Sequence, residues 1–418
     1  MLQARDDAVP SALPALSWPQ RAPPRAGWRG TARSGRMPLS STFILGIQDS
    51  VDGVCHLGTK AAYDAVGHNV GNLAFHYAMT KILGGPQDSL EWHVDPERMN
   101  AMARLGVMPC ANQIGPHADY GRLADRFATL RIPLVAVGMG AQGGADYALP
   151  EVPEGTRRWI EEIAKRSPRG APNIGLRGPF TLKVLEQCGL GDRAVVTGCP
   201  TLFLNPDPML GRRIAAKAAK PFAHVAMAAG HQKWRQLSAL EASLTRILDE
   251  SGGSYIVQSP IEMVALARGE ADSLPEEDLV ELRDYARPGT TLDEFKRWSR
   301  RHARAFFNIS EWMEHLRGVD FVAGTRIHGI VLALQAGTPG LCIAHDSRTR
   351  ELCETMGVPF IMAGEVIRGT TLEELRSRFV FDGEAFDAHR RAMARTMDGF
   401  LQSNALAPSA WLGRIIGS

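Results

Sequence analysis

Two turns in the C-terminal third of the chain carry the side chains best suited to chemistry. Residues 324–329 read GTRIHG, so Arg326 and His328 lie two positions apart, just before an apolar run. Arg348 lies in a second polar stretch, residues 345–350. A guanidinium group offers a planar fork that matches a carboxylate or a phosphate. Histidine can exchange a proton near neutral pH. These residue types predict an anion-binding site with an acid or base beside it.

The elements around these turns predict where the turns lie in a fold. Residues 319–323 and 341–344 are short apolar runs typical of buried strands, and residues 330–336 and 351–356 look helical. In an open parallel sheet such turns lie outside the carboxyl ends of the strands, where ligands bind. A helix start there stabilises an anion by about 0.3–1 kcal/mol. The alternative is that His328 caps a helix and both arginines are solvated.

Two further turns follow predicted strands in the N-terminal half. Residues 132–137 form a β-branched run, and the turn predicted at 138–144 contains Gly138 and Gly140, whose missing Cβ atoms let a ligand approach the backbone. Arg177 follows another strand-like run and opens a helix predicted at 179–188. A cation gains nothing from the positive end of a helix dipole. We therefore expect Arg177 to share a bound anion.

A fifth turn, GHNVGN at residues 67–72, precedes a helix predicted at 73–83. Its glycines allow close backbone approach, and Asn69 could cap the helix or contact a ligand. A single glycine-rich turn is a weak signal, and a purely structural turn is the alternative.

Four sequence blocks, in order along the chain, resemble the polysaccharide pyruvyl transferase family. They are GMGAQ at 138–142, LRGPFT at 176–181, VTGCPT at 196–201, and GTRIHG at 324–329 followed by Gly337-Thr338-Pro339, Arg348 and Glu351-Leu352. The resemblance extends over about residues 60 to 365.

This resemblance implies transfer of the enolpyruvyl unit of phosphoenolpyruvate to two hydroxyls of a sugar, which gives a cyclic pyruvate ketal and free phosphate. It implies that Arg177, Arg326 and Arg348 clamp the donor and that His328 is the acid. It favours contact of Asn69 with the acceptor. The family residue near Arg348 is basic but not always arginine. No cofactor is implied beyond phosphoenolpyruvate as a substrate.

Two other functions are compatible with the same residues. A nucleotide-sugar glycosyltransferase of GT-B type would use the C-terminal anion site for a diphosphate, since fold does not fix function. A carbohydrate-binding protein with a degenerate site is the alternative that is not an enzyme. A screen of donors separates the three hypotheses.

Length and the alternation of strands and helices predict an α/β fold with two Rossmann-like lobes and parallel sheets, resembling the GT-B glycosyltransferase architecture. The chain has 418 residues and a hydrophobic content of 44%. We predict a disordered, proline-rich extension at residues 1–37, an acceptor lobe at 38–210, a donor lobe at 211–382 and a helical tail at 383–418. Two prolines and a basic stretch mark the boundary between the lobes.

Composition and charge limit the classes of molecule that this protein is expected to bind. Lys plus Arg number 47 and Asp plus Glu number 45, which gives a net charge of +2. This charge is too small for long-range electrostatic attraction of nucleic acid. The six cysteines form no C-x-x-C pair, which favours reduced thiols and a cytoplasmic protein. No apolar run reaches the roughly 18 residues of a transmembrane helix, and the histidines show no metal-ligand spacing. The expected partners are phosphoenolpyruvate and a sugar or lipid-linked saccharide, the latter compatible with peripheral membrane association.

Overall fold

The computed structural model describes residues 42–92, 94–102, 104–144 and 146–417. The extension predicted at residues 1–37 lies outside the described residues.

The first lobe is built on a parallel sheet whose main path runs β2-β1-β3-β5-β6-β7, with β4 paired to β5 outside that path. The central strand β5 is buried along its whole length, as expected for a strand covered on both faces. The strands are β1 (Thr42–Leu45), β2 (Gln87–Leu90), β3 (Gly106–Pro109), β4 (Asn112–Ile114), β5 (Leu134–Ala141), β6 (Ile174–Leu176) and β7 (Ala194–Val196).

The described chain before the second sheet contains seven α-helices, the last of which leads into the second lobe. The helices are α1 (Thr59–Ala65), α2 (Asn72–Ile82), α3 (Pro96–Met102), α4 (Gly121–Ala128), α5 (Glu154–Ala164), α6 (Pro179–Gln187) and α7 (Leu210–Ala218).

The second lobe has a parallel sheet in the order β10-β9-β8-β11-β12-β13. Its strands are β8 (Val225–Ala228), β9 (Ser254–Ile256), β10 (Ala303–Arg304), β11 (Phe321–Gly324), β12 (Gly340–Ala344) and β13 (Phe360–Met362). Its helices are α8 (Ser238–Ser251), α9 (Ile261–Ala267), α10 (Glu276–Ala286), α11 (Leu292–His302), α12 (Ile309–Arg317), α13 (Ile327–Gln335), α14 (Ser347–Met356) and α15 (Leu372–Arg378). The predicted fold class, α/β with two Rossmann-like lobes and parallel sheets, is confirmed.

The last two helices, α16 (Gly383–Ser403) and α17 (Ala410–Ile416), lead the chain back to the first lobe. The hydroxyl of Ser409, the N-cap of α17, bonds the carbonyl of Lys81 in α2, and the backbone N–H of Ser409 donates to Ile82 O at 2.9 Å. The indole N–H of Trp411 donates to Phe203 O at 3.1 Å. One apolar core runs from α2 through the second sheet to these helices. The domain limits at residues 210 and 382 stay predictions.

The turn predicted at residues 138–144 begins later than expected. Gly138 to Ala141 continue β5, because Gly138, at a φ of 80°, forms an irregularity in the pairing with β6 and does not end the strand. Gly140 is therefore the last residue but one of β5 and not part of the turn.

Within the described part of the chain, no helix combines the length and apolar character that a membrane span requires.

Candidate functional site

The turn between β11 and α13 carries Arg326 and His328 to the carboxyl edge of the second sheet. Gly324 ends β11 at a φ of 146°, and a Cβ there would come within 2.2 Å of Ala228 O, so only glycine fits this close approach to β8. Arg326 is the N-cap residue of α13, and His328 lies in the first turn of that helix. The position agrees with the ligand-binding edge predicted for this turn.

The guanidinium group of Arg326 is held on two sides. Its Nη2 donates to Ser259 Oγ at 2.6 Å, and the group lies 4.8 Å from the ring centre of Trp234. Its Nε–H is buried and has no hydrogen-bond partner among the described residues. Burial, followed by the charge of Arg348, lowers the pKa of Arg326 to about 10. The group is fixed in place and keeps one donor free for an anion.

The imidazole of His328 lies between an apolar wall and positive charge. Its Nε2 is 3.9 Å from Cys199 Sγ, and its ring centre is 5.6 Å from that of Phe75. Burial, and then the charges of Arg177, Arg348 and Arg326, lower the pKa of His328 to about 3. Three positive charges therefore favour the neutral ring, and an anion among them would favour the protonated one.

Arg177 reaches the same place from the first lobe. It directly follows β6, its side chain is buried, and its Nε–H donates to Gly138 O at 3.0 Å. A Cβ on Gly140 would come within 2.7 Å of Arg177 Cδ, so the absence of a side chain there makes room for the arginine. Arg177 Nη2 is a buried donor with no partner in the described parts of the chain. Burial lowers the pKa of Arg177, and Arg348 adds to this effect.

The helix dipole at the start of α6 is not what makes Arg177 a candidate anion-binding residue. A carboxylate of the chain itself occupies this helix start: Glu351 Oε1 accepts the N–H of Thr181 at 2.7 Å. The free donor of Arg177, and not the helix dipole, is the feature that invites an external anion.

Arg348 is partly engaged by its own turn. Its Nε and Nη2 donate to Asp346 Oδ2 at 3.1 and 2.8 Å, and Asp346 also caps α14 by accepting the N–H of Thr349 at 2.7 Å. Burial opposes ionisation of Asp346, but the charges of Arg348 and His345 and the hydrogen bonds from Thr349 together outweigh it and hold the pKa of that carboxyl well below its usual range. Because Asp346 accepts two of its hydrogen bonds, Arg348 contributes mainly its positive charge to the site and not a free guanidinium fork.

The structure thus brings together four of the seven residues that the sequence singled out, Arg177, Arg326, Arg348 and His328, and frames Arg177 with Gly138 and Gly140. Asn69 serves its own turn: its Oδ1 accepts the N–H of Gly71 at 2.9 Å. That turn docks on the second lobe, where Val70 N–H donates to Gln258 O at 3.0 Å. Contact of Asn69 with an acceptor stays a prediction.

Sequence reasoning missed several residues that hold the site. Trp234, after β8, contacts Arg326 on one side and the ring of His345 at 4.2 Å on another. Glu241 is fully buried, accepts hydrogen bonds from Tyr255 and Gly230, and lies close enough to Arg326 to influence its charge. Trp234 follows β8, and Glu241 lies within α8, so neither residue belongs to a motif that the sequence singled out. Among the described residues, no group of three or more His, Cys, Asp or Glu side chains could hold a metal ion.

The sequence model of the family described as polysaccharide pyruvyl transferase matches residues 69–347. The chain belongs to the polysaccharide pyruvyl transferase family. The matched range contains Arg177, Arg326 and His328 and stops one residue before Arg348. A search of curated protein sequences gave no match.

Solved structures similar to this chain include glycosyltransferases and a polymerase. The wall teichoic acid polymerase TagF aligns at 10% identity over 88% of this chain and 87% of its own, with a TM-score of 0.38. The glycosyltransferase SnogD from Streptomyces nogalater aligns at 12% identity over 84% and 78%, with a TM-score of 0.30. A UDP-glucose:anthocyanidin 3-O-glucosyltransferase aligns at 13% identity over 91% and 100%, with a TM-score of 0.36.

Proposed function

We propose that this protein transfers the pyruvyl unit of phosphoenolpyruvate to a pair of sugar hydroxyls in a polysaccharide or its precursor, forming a cyclic ketal and free phosphate. The observation that carries the proposal is the convergence of Arg177, Arg326 and Arg348 on the imidazole of His328 from both lobes. Membership of the polysaccharide pyruvyl transferase family supports the reaction type.

The free donors of the site suit a small, multiply charged anion. Arg177 Nη2 and Arg326 Nε are buried and make no hydrogen bond within the described residues. A buried donor left unpaired costs about 1–3 kcal/mol, and more when it is charged. Phosphoenolpyruvate carries a carboxylate and a phosphate on the same carbon, so its oxygens can satisfy donors from both lobes at once. Hydrogen bonds between a guanidinium group and an anion are stronger than hydrogen bonds between neutral groups.

The imidazole of His328 supplies the proton that starts the reaction. Protonation of the donor's methylene carbon gives a methyl group and an oxocarbenium-like carbon, which a sugar hydroxyl attacks with loss of its own proton. Departure of phosphate and attack by the second hydroxyl close the ketal, and the second hydroxyl proton leaves with phosphate. One proton is taken up at carbon and two leave the hydroxyls, so the net reaction releases hydrogen phosphate. A positioned acid contributes about 10²–10⁴ in rate.

The acceptor is proposed to enter from the first lobe, as a sugar or a lipid-linked saccharide. We propose that the reaction takes place in the cytoplasm, with peripheral membrane association where the acceptor is lipid-linked. Phosphoenolpyruvate is the donor and no separate cofactor is proposed.

A donor screen tests the proposal. Purified protein is incubated with oligosaccharides from the host's surface polysaccharide and either phosphoenolpyruvate or sugar nucleotides. Release of phosphate together with a ketal methyl signal in the NMR spectrum of the product is expected, and His328→Ala should abolish both. His224→Ala is the matched control, because this histidine precedes β8 at the opposite edge of the sheet. Release of nucleoside diphosphate with no use of phosphoenolpyruvate would contradict the proposal.

A further inference from the structure

A single carboxylate joins the two lobes beside the arginine cluster. Glu351, on α14 of the second lobe, accepts the backbone N–H of Thr181 at 2.7 Å and its hydroxyl at 2.9 Å, on α6 of the first lobe. Glu351 is 2% exposed and Thr181 is fully buried. The same Thr181 hydroxyl accepts the N–H of Ala141, the last residue of β5, at 3.0 Å. The bridge therefore ties α14 to both α6 and the central strand of the first sheet.

The start of α6 has no cap of its own, which gives Glu351 its importance. The N-cap residue is Gly178 and makes no side-chain cap bond, and the first helical residue is Pro179. A helix start leaves backbone N–H groups that need an acceptor, and a carboxylate is favoured there by the helix dipole. A Cβ on Gly178 would come within 2.4 Å of Glu351 Cγ, so the glycine makes room for the incoming carboxylate.

The bridge links two of the three arginines. Arg177 is the residue directly before Gly178, and Arg348 lies one turn before Glu351 on α14. Fixing Glu351 against the start of α6 therefore fixes the separation of the two guanidinium groups across the cleft. Glu351 also lies close enough to Arg177 to favour its charged form.

Neighbouring contacts align α14 against the first lobe but are less enclosed. Ser347 Oγ donates to Gly143 O at 3.0 Å. The hydroxyl of Tyr147 donates to Glu354 Oε2 at 2.8 Å. Glu354 is 42% exposed, so this bond competes with water and contributes less than the buried one. It provides a matched control one turn further along the same helix.

We propose that Glu351 is a positioning residue that sets the spacing of Arg177 and Arg348 by capping α6 from the opposite lobe. Glu351 acts on the donor only through these arginines. The kinetic consequence rests on the proposed function, whereas the bridge itself does not. A substrate needing both guanidinium groups should lose affinity when the carboxylate is removed, even though the carboxylate makes no contact with it.

The bridge is tested first without any donor. Hydrogen–deuterium exchange of peptides covering residues 178–187 is measured in the wild type, Glu351→Gln, Glu351→Ala and the control Glu354→Gln. Loss of protection at the start of α6 in the two Glu351 variants, and not in Glu354→Gln, is expected. Unchanged protection in both Glu351 variants would overturn the inference.

The coupling to Arg177 is tested by a double-mutant cycle on phosphoenolpyruvate affinity, measured by calorimetry well below the melting temperature. Glu351→Gln and Arg177→Lys should each weaken binding by about tenfold, the size expected for one charge-assisted hydrogen bond. The double variant should lose little more than Arg177→Lys alone, because one residue acts through the other. Fully additive losses, or affinity in Glu351→Gln equal to that of Glu354→Gln, would overturn the inference.

The two tests separate this inference from the proposed function. A wild-type protein that binds no phosphoenolpyruvate counts against the proposed function, and the exchange measurement alone then decides the bridge. A wild-type protein that binds it, with Glu351 variants of unchanged affinity, counts against the positioning role only.

Discussion

Binding of phosphoenolpyruvate should raise the pKa of His328 and draw a proton from solution. In the structure, burial and three guanidinium charges lower this pKa from the ordinary 6.5 to about 3. One unit charge about 6 Å away, at an effective dielectric constant of about 20, is worth about 3 kcal/mol, or about 2 pKa units. Because burial is the largest cause of the lowered pKa and stays in place, a donor that neutralises two of the three guanidinium charges should raise the pKa of His328 by about 2 units, to about 5. At pH 5 about half a proton should therefore be taken up per donor bound.

Calorimetry in several buffers measures this uptake. The observed binding enthalpy is plotted against the ionisation enthalpy of the buffer, and the slope gives the number of protons exchanged. The phosphate of the donor titrates near pH 6 and releases protons of its own on binding, so the informative quantity is the difference between the wild type and His328→Asn. The variant should take up about half a proton less, and His224→Asn should match the wild type. Equal slopes in the wild type and His328→Asn would refute the reasoning.

Three further outcomes follow from contacts in and around the site. Trp234→Ala removes the face on which Arg326 lies, and should weaken phosphoenolpyruvate binding by about threefold to tenfold in calorimetry, the size of a cation–π contact; unchanged affinity would show that the ring does not hold the guanidinium. Gly178→Ala should lower the melting temperature and the catalytic efficiency together, because the added methyl group meets a buried side chain within 2.4 Å; a variant like the wild type in both would contradict the steric account. Burial lowers the pKa of His76 and of His345 to about 4, so the unfolded chain binds protons first as the pH falls. The free energy of unfolding, measured with urea, should decrease by about 1.4 kcal/mol per pH unit for each ring between pH 6 and 4; replacing both rings by glutamine should flatten that slope, and an unchanged slope would contradict the sign.

Much of the site's local geometry could be predicted from the sequence, because short apolar runs followed by polar turns and glycine stops specify strand, turn and helix. Strands β11 and β12 and helices α13 and α14 were expected within a few residues of their observed limits. Arg326 and His328 lie at the carboxyl edge of the second sheet, where the sequence predicted a ligand-binding turn. Edge strands were harder, because β2 reads QDSL and has no apolar alternation. The continuation of β5 through Gly138 was missed, since a positive φ can mark an irregularity within a strand as well as a turn.

Most of what could not be predicted depends on contacts between distant segments. Arg177 meets His328 across the cleft, and only the resemblance to a family, not the spacing, connected them. The pairing of Arg348 with Asp346 reduces the fork expected of that arginine. Glu351 supplies the anion at the start of α6, a place where the sequence suggested an external ligand. Arg177 and Glu351 therefore meet their partners in the opposite lobe, whereas Arg348 meets Asp346 two residues away in its own turn.

The most direct test of the central claim is the affinity of the protein for phosphoenolpyruvate compared with a sugar nucleotide, measured by calorimetry in the wild type and in Arg326→Ala. The account predicts that phosphoenolpyruvate binds the wild type, that Arg326→Ala weakens this binding by about tenfold or more, and that UDP-glucose does not compete. Equal affinity in Arg326→Ala, or displacement of phosphoenolpyruvate by UDP-glucose, would contradict it.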